Sequence, residues 1–207
     1  NFSGAAIALE PESQNCEAIL QAWYPGQAGG QAVAEVLFGD YNPAGKLPLT
    51  FYRNLAQIPD FEDYNMTGRT YRYMKETPLF PFGHGLSYTT FKYGKLKMND
   101  DKIAAGQNLN LAIPVTNTGS RDGDEVVQVY LKKMDDTEGP VKTLRAFKRV
   151  RIPAGKTVEV KFSLDDTQLE WWDEQSNTMR VCPGNYTVMI GGTSCEKSLL
   201  SRAFTIR

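Results

Sequence analysis

The second half of the chain carries an alternating rhythm. Leu109, Leu111, Ile113 and Val115 alternate with Asn108, Asn110, Ala112 and Pro114. Val127, Val129 and Leu131 alternate with Val126, Gln128 and Tyr130, and Val158, Val160, Phe162 and Leu164 alternate with Thr157, Glu159, Lys161 and Ser163. Tyr186, Val188 and Ile190 follow, and the chain closes on an apolar run from Ala203 to Ile206. A period of two puts one row of side chains on a buried face and the other in water. Turn residues separate the runs at Asn117-Thr-Gly119, Asp122-Gly123, Glu138-Gly-Pro140, Pro153-Ala-Gly155 and Pro183-Gly184. About seven short strands in roughly 110 residues predict a two-sheet sandwich.

The first half reads differently. The apolar run Gly4 to Leu9 predicts a short buried strand. Cys16, Ile19, Leu20 and Trp23 recur at helical spacing and predict a helix stopped by Tyr24-Pro25-Gly26. Gly29 and Gly30 lead into a second helix with Val33, Val36 and Leu37 as its stripe and Gly39 as its left-handed stop. Helices this short do not bury their apolar faces alone. With one candidate strand beside them, residues 1–52 read as the end of a larger α/β domain. Residues 53–93 repeat aromatics (Tyr64, Tyr71, Tyr73, Phe80, Phe82, Tyr88, Phe91) without a period. That is too aromatic for a disordered linker and predicts an extended connector packed onto its neighbours. The expected fold class is therefore mainly β: an immunoglobulin-like or fibronectin type III-like β-sandwich over residues 94–207, preceded by the connector over 53–93 and the C-terminal remnant of an α/β sandwich domain over 1–52.

Composition narrows the partners. Of 207 residues 41% are hydrophobic and 23% charged, with a formal net charge of −1, an ordinary globular balance. No cluster of Lys and Arg is present to neutralise phosphates, so nucleic acid is not an expected partner. No apolar run approaches the ~20 residues that span a bilayer, so no membrane partner is expected either. The chain opens on Asn1 without an initiator Met or a signal-peptide pattern, and its N-terminus reads as cut rather than natural. Cys16, Cys182 and Cys195 form neither a disulfide framework nor a metal site. They read as three partly buried thiols; a Cys182–Cys195 bridge between late strands is the alternative.

Three blocks carry a family resemblance. The first is Ala22-Trp-Tyr-Pro-Gly-Gln-Ala-Gly-Gly30, with Ala34-Glu-Val-Leu-Phe-Gly-Asp40 and Asn42-Pro-Ala-Gly-Lys-Leu-Pro48. The second is Gly68-Arg-Thr-Tyr-Arg-Tyr73 with Phe80-Pro-Phe-Gly-His-Gly-Leu-Ser-Tyr-Thr-Thr-Phe91. The third comprises Val115 to Gly119, Asp122 to Leu131, Leu144 to Val150 and Pro183 to Thr187. Together they resemble glycoside hydrolase family 3 and the fibronectin type III-like domain that ends many of its members. The resemblance implies a parent enzyme built of a β/α barrel, an α/β sandwich and the fibronectin-like module, with this chain packing on the first two. It implies retaining hydrolysis of β-linked sugars from the non-reducing end, by two carboxyl groups about 5–5.5 Å apart. The substrate would be an oligosaccharide, and the setting secreted or periplasmic. In that family the nucleophile is an Asp of the barrel, and in many members the acid/base is a Glu upstream of the Trp-Tyr-Pro-Gly block. Neither motif occurs here: Glu10, Glu12 and Glu17 lie near that block in no such motif. No catalytic, cofactor-binding or metal residue is therefore assigned, and no cofactor is expected. The Gly68–Tyr73 block resembles β-xylosidases more than typical β-glucosidases. The alternative reading is a non-catalytic carbohydrate-binding or adhesion module, which would have no need of residues 1–52.

Other residues invite sharper readings and have plainer ones. His84, the only histidine, has no Gly-x-Ser-x-Gly partner and reads as a turn residue at a domain junction. Gly26, Gly29 and Gly30 lack the Lys of a phosphate loop and read as turn formers. Asp122, Asp124, Asp135 and Asp136 have no calcium-loop spacing and read as turn carboxylates. Arg69 and Arg72 could reach sugar hydroxyls or carboxylates, against a structural role clamping the connector. Trp171 and Trp172 could stack on a sugar ring, against core or sheet-edge packing. Asn1, Asn65 and Asn185 head glycosylation sequons.

Overall fold

The structure is a computed structural model describing residues 1–207. Helices α1 (Glu10–Asn15), α2 (Gly29–Phe38) and α3 (Thr70–Tyr73) precede the strands β1 (Phe91–Tyr93), β2 (Lys97–Met98), β3 (Lys102–Ile103), β4 (Leu109–Asn117), β5 (Gly123–Lys133), β6 (Thr143–Ile152) and β7 (Thr157–Leu164). The short helix α4 (Asp166–Leu169) then leads to β8 (Trp171–Asp173), β9 (Thr178–Arg180), β10 (Gly184–Gly191) and β11 (Leu200–Ile206). β7 runs antiparallel along β4 on one side while β1 and β2 share its other side. The facing sheet has the order β3-β11-β10-β5-β6, antiparallel except where β11 meets β3. β8 and β9 form a separate hairpin.

Between the two sheets lies one core, drawn entirely from residues 96–206. In β4 the expected alternation holds: Leu109, Leu111, Ile113 and Val115 are buried and Asn110 is exposed. β7 does the same with Val160, Phe162 and Leu164. Pro114 sits mid-strand without breaking the ladder. Its carbonyl accepts from the Gly94 amide at 2.8 Å, so the N–H that proline lacks faces the gap between β1 and β2. Tyr186 Oη donates to the Cys182 carbonyl at 2.8 Å and its ring stacks on Phe204, closing the lower corner of the sandwich.

Several expectations for the first half need correction. Residues 4–9 form no strand, and only Leu9 among them is buried. The stripe Cys16, Ile19, Leu20, Trp23 is not helical. The first helix is α1 instead, opened by Pro11 and ended where Cys16 turns extended. Trp23 has a positive φ of 54°. A short apolar stripe becomes a helix only against a surface that buries it, and this one has none: Cys16 is exposed and the other three are half-buried. The segment is pinned by the chain's start, with Ala22 N donating to the Asn1 carbonyl at 2.9 Å and Gln21 Nε2 to the Ser3 carbonyl at 2.8 Å. α2 does form, and Gly39 ends it in the left-handed region at φ 81°. The three cysteines are free, so no Cys182–Cys195 bridge exists, and Cys16 is exposed rather than partly buried.

In the sandwich, β6 lacks a pattern and β5 departs from the expected one. β6 has no clear alternation, because an edge strand carrying Lys148 and Arg149 in water keeps few core positions. β5 is buried on both faces, from Val127 through Leu131. Its polar row is not solvated.

Ile113 is wholly buried between the sheets. Truncating it leaves a void the sheets cannot close. The Ile113→Ala variant is expected to lose about 2–5 kcal/mol, read as a lower urea midpoint at an unchanged slope.

Candidate functional site

The outer face of β5 is closed by the connector, and that closure is the most organised feature outside the core. Gln128 is buried with its amide fully used. Nε2 donates to the carbonyls of Gly83 at 3.2 Å and Gly192 at 2.7 Å, while Oε1 accepts from Tyr130 Oη. Gly83 is required there: its φ is +76°, and a Cβ would lie 2.0 Å from Gln128 Oε1. Tyr71 stacks on Phe82 at 4.2 Å and meets Tyr130 edge-on at 5.9 Å. The Phe82 carbonyl accepts from Ser194 N at 3.0 Å. The Tyr71 hydroxyl accepts from Leu144 N at 3.1 Å.

Charge is buried beside this contact. Glu125, 4% exposed, accepts from Tyr93 Oη at 2.7 Å and pairs with Lys46 Nζ at 3.3 Å. Lys46 also donates to the Gly85 carbonyl at 3.0 Å. Burial, and then the Glu125 charge, push the Tyr93 hydroxyl far above its usual range. The trio ties residue 46 and β1 to the sheet and acts as a structural clamp. A second clamp lies at the same end of β5, beside its first residue Gly123. Asn117 is fully buried; its Nδ2 donates to the carbonyls of Arg121 and Ile152, and its Oδ1 accepts from Thr89 Oγ1 at 2.5 Å. Beyond it, Arg121 donates to the Gly39 carbonyl and lies over the Tyr88 ring, tying the end of α2 to the sandwich.

The residues singled out from sequence fall as follows. His84 is a junction residue. Its ring stacks on Phe80 at 5.3 Å and its carbonyl accepts from Leu47 N. Burial, then the Lys46 charge, hold its pKa below the ordinary value. Arg69 ties the connector's own loop, donating to the carbonyls of Asn65, Asp60 and Asp63. Gly26 has φ +68° in a turn and Gly29 packs on Pro25. Asp122 accepts from Ala154 N, Asp124 pairs with Arg149, Asp135 accepts from Asn185 N, and Asp136 takes Trp171 Nε1 at 2.7 Å. Each is committed to a turn or strand end, and no three acidic, His or Cys side chains gather to hold a metal. Trp171 is buried in the core while Trp172 is half exposed on the hairpin, opposite Met179. Asn1, Asn65 and Asn185 are all exposed. Glu10 accepts from Arg53 at 3.4 Å; Glu12 and Glu17 face water.

The clamps at Gln128, Glu125 and Asn117 were not anticipated. A signal existed for the first. Val126 and Tyr130 make the supposedly solvated row of β5 apolar too, which marks a strand covered on both faces.

Residues 1–93 also carry an uncovered surface. Of them, only Leu9, Ala44, Phe51 and Met74 are buried apolar residues. Phe38 is 83% exposed at the end of α2, and Phe61 and Tyr64 are 91% and 90% exposed. Leu37, Tyr24, Leu55 and Leu86 are also largely exposed. Large apolar groups in such number mark a surface meant for contact.

Comparison with known proteins matches two stretches of the chain. Residues 1–88 match the glycosyl hydrolase family 3 C-terminal domain and residues 125–194 the fibronectin type III-like domain. A xylan 1,4-beta-xylosidase of Xylanibacter ruminicola is 53% identical over 100% of this chain and 24% of its own length. A periplasmic beta-glucosidase of Salmonella typhimurium is 39% identical over 94% of the chain and 27% of its own length. Among solved structures, a β-glucosidase from Erythrobacter marinus superposes with a TM-score of 0.86 at 37% identity, covering 100% of this chain and 27% of that one. The chain thus spans about a quarter of the length of the curated relatives it matches.

Two outcomes test the junction. Gly83→Ala forces a left-handed Ala against Gln128 and is expected to cost about 1–3 kcal/mol; Gln128→Leu orphans Tyr130 Oη and is expected to cost a similar amount. Differential scanning calorimetry reads both. Because His84 is held below its usual pKa, the unfolded chain takes up that proton first as pH falls through about 6.5. Stability therefore drops below that pH until the folded pKa is passed. His84→Gln is expected to flatten that part of the profile, measured as the thermal midpoint between about pH 7.5 and 5.

Proposed function

Because the chain belongs to glycoside hydrolase family 3, as the C-terminal part of such an enzyme with its fibronectin type III-like domain, we propose that it works inside a longer, secreted or periplasmic retaining exo-β-glycosidase. The supporting observation is the number of large apolar side chains that residues 1–93 leave exposed, set against a sandwich whose own core is closed. Residues 1–52 are the end of an α/β sandwich domain, residues 53–93 a connector, and residues 94–207 a structural module. The chain itself supplies no catalytic carboxyl. It contributes rigidity: the Gln128, Glu125 and Asn117 clamps hold α2 and the connector on the sandwich, so that the surface presented to the remaining domains keeps its shape. Positioning of this kind lets two carboxyls elsewhere stay at working separation.

Terminal β-linked xylose is the favoured substrate and β-linked glucose the next. The support is the 53% identity to a xylan 1,4-beta-xylosidase against 39% to a beta-glucosidase, together with the Gly68–Tyr73 block. An extracytoplasmic setting is supported by the Salmonella relative, which is named periplasmic.

The longer protein is expected to release nitrophenol from aryl β-xyloside faster than from aryl β-glucoside, and the isolated chain to release none. Phe38→Asp is the sharper probe. In the isolated chain an exposed substitution changes stability by less than about 0.5 kcal/mol. In the longer protein it is expected to lower the thermal midpoint and turnover together. Equal indifference in both contexts rejects the docking role of these exposed side chains.

A further inference from the structure

Arg145 is the extra residue of a β-bulge in β6. Leu144 pairs with Tyr130 and Ala146 with Val129, leaving Arg145 without a partner in β5. Bulges re-aim a side chain out of the ladder's alternation. The guanidinium lies over the Trp171 ring, 5.1 Å from its centroid, and Nη2 donates to the Glu170 carbonyl at 2.8 Å. Arg145 Nε is buried and finds no acceptor. Two hydrogen bonds lay α3 beside this point: Val141 N to the Arg72 carbonyl at 2.6 Å and Leu144 N to Tyr71 Oη at 3.1 Å. From α3 comes Arg72, whose Nε is also buried without an acceptor. Its guanidinium stands 5.6 Å from the Tyr73 ring centroid. The hydroxyl of Thr143, two residues before Arg145, is a third buried polar group without a partner.

No carboxylate lies within 4.0 Å of either guanidinium. Burial first, and the Arg72 charge second, weaken the hold of Arg145 on its proton; the Glu170 charge offsets this only in part. Buried polar groups in folded proteins are almost always paired, and each orphan asks for a reason. Here two orphans belong to cations that feel each other's charge, and the third lies two residues before one of them.

We propose that Arg72, Arg145 and Thr143 form a carboxylate-binding site between α3 and the bulge of β6. Two planar guanidinium forks suit a carboxylate, which accepts bidentate hydrogen bonds, and the Thr143 hydroxyl adds a donor. The carboxylate comes from an acidic sugar or from an Asp or Glu side chain of a neighbouring protein segment. The assignment does not depend on the glycosidase reading, since it concerns binding by this chain alone.

Isothermal titration of the 207-residue chain with acetate, glucuronate and glucose, at fixed ionic strength in chloride, tests it. Saturable binding of acetate and glucuronate is expected, and none of glucose. Arg72→Gln is expected to raise both dissociation constants by about tenfold or more. Arg145→Lys, which keeps the charge over Trp171 but loses the fork, is expected to weaken binding too. Glucuronate binding about tenfold tighter than acetate assigns the site to an acidic sugar; equal binding assigns it to a protein carboxylate. No saturable heat with either carboxylate, or binding that survives Arg72→Gln, overturns the proposal.

Discussion

Gln128 joins three separate stretches of chain through one side chain: the connector at Gly83, the loop after β10 at Gly192, and its own strand at Tyr130. Buried amides are costly unless every donor and acceptor is matched. This one is matched, and the requirement dictates its surroundings. Gly83 must lack a side chain, Tyr130 must point outward, and Phe82 must lie where Tyr71 can cover it. The outer face of β5 is thus a second, polar-centred interface, and the rest of the first half is hung from it.

The buried charges obey the same logic. Glu125 is buried against Lys46 and Tyr93, and the cluster repays desolvation only because three separate segments each bring one of its members. Arg72 and Arg145 are the opposite case: two cations drawn together by α3 and a bulge, with donors left over. A completed cluster holds the fold, and an incomplete one marks where something else belongs.

The two halves differ in how far they are finished. The sandwich closes a continuous core and its helix α4 is capped in full, Asp165 accepting from Thr167 N and Gln168 reaching back to Asp165 N. α2 has its left-handed Gly39 stop but buries only Gly29. A helix with its C-terminal stop in place, Val33 and Val36 only half-buried and Leu37 and Phe38 in water, carries local instructions whose tertiary partner lies elsewhere. That is why the same chain looks self-sufficient in one half and dependent in the other.

The sequence by itself determined the mainly β class, the strands β4, β5, β7, β10 and β11, the stop of α2 at Gly39, and the family, because alternation, turn chemistry and long motifs are local and survive without knowledge of what packs on what. It misjudged the stripe from Cys16 to Trp23, since helical spacing is only a permission and burial is what enforces it. Tertiary structure alone decided that the polar row of β5 is interior, that Arg145 occupies a bulge beside Arg72, and that Asn117 is a buried clamp rather than a turn residue. Each of those rests on groups brought together from distant positions, Gly83 with Gln128 or Lys46 with Glu125, and no window along the chain contains both members of such a pair.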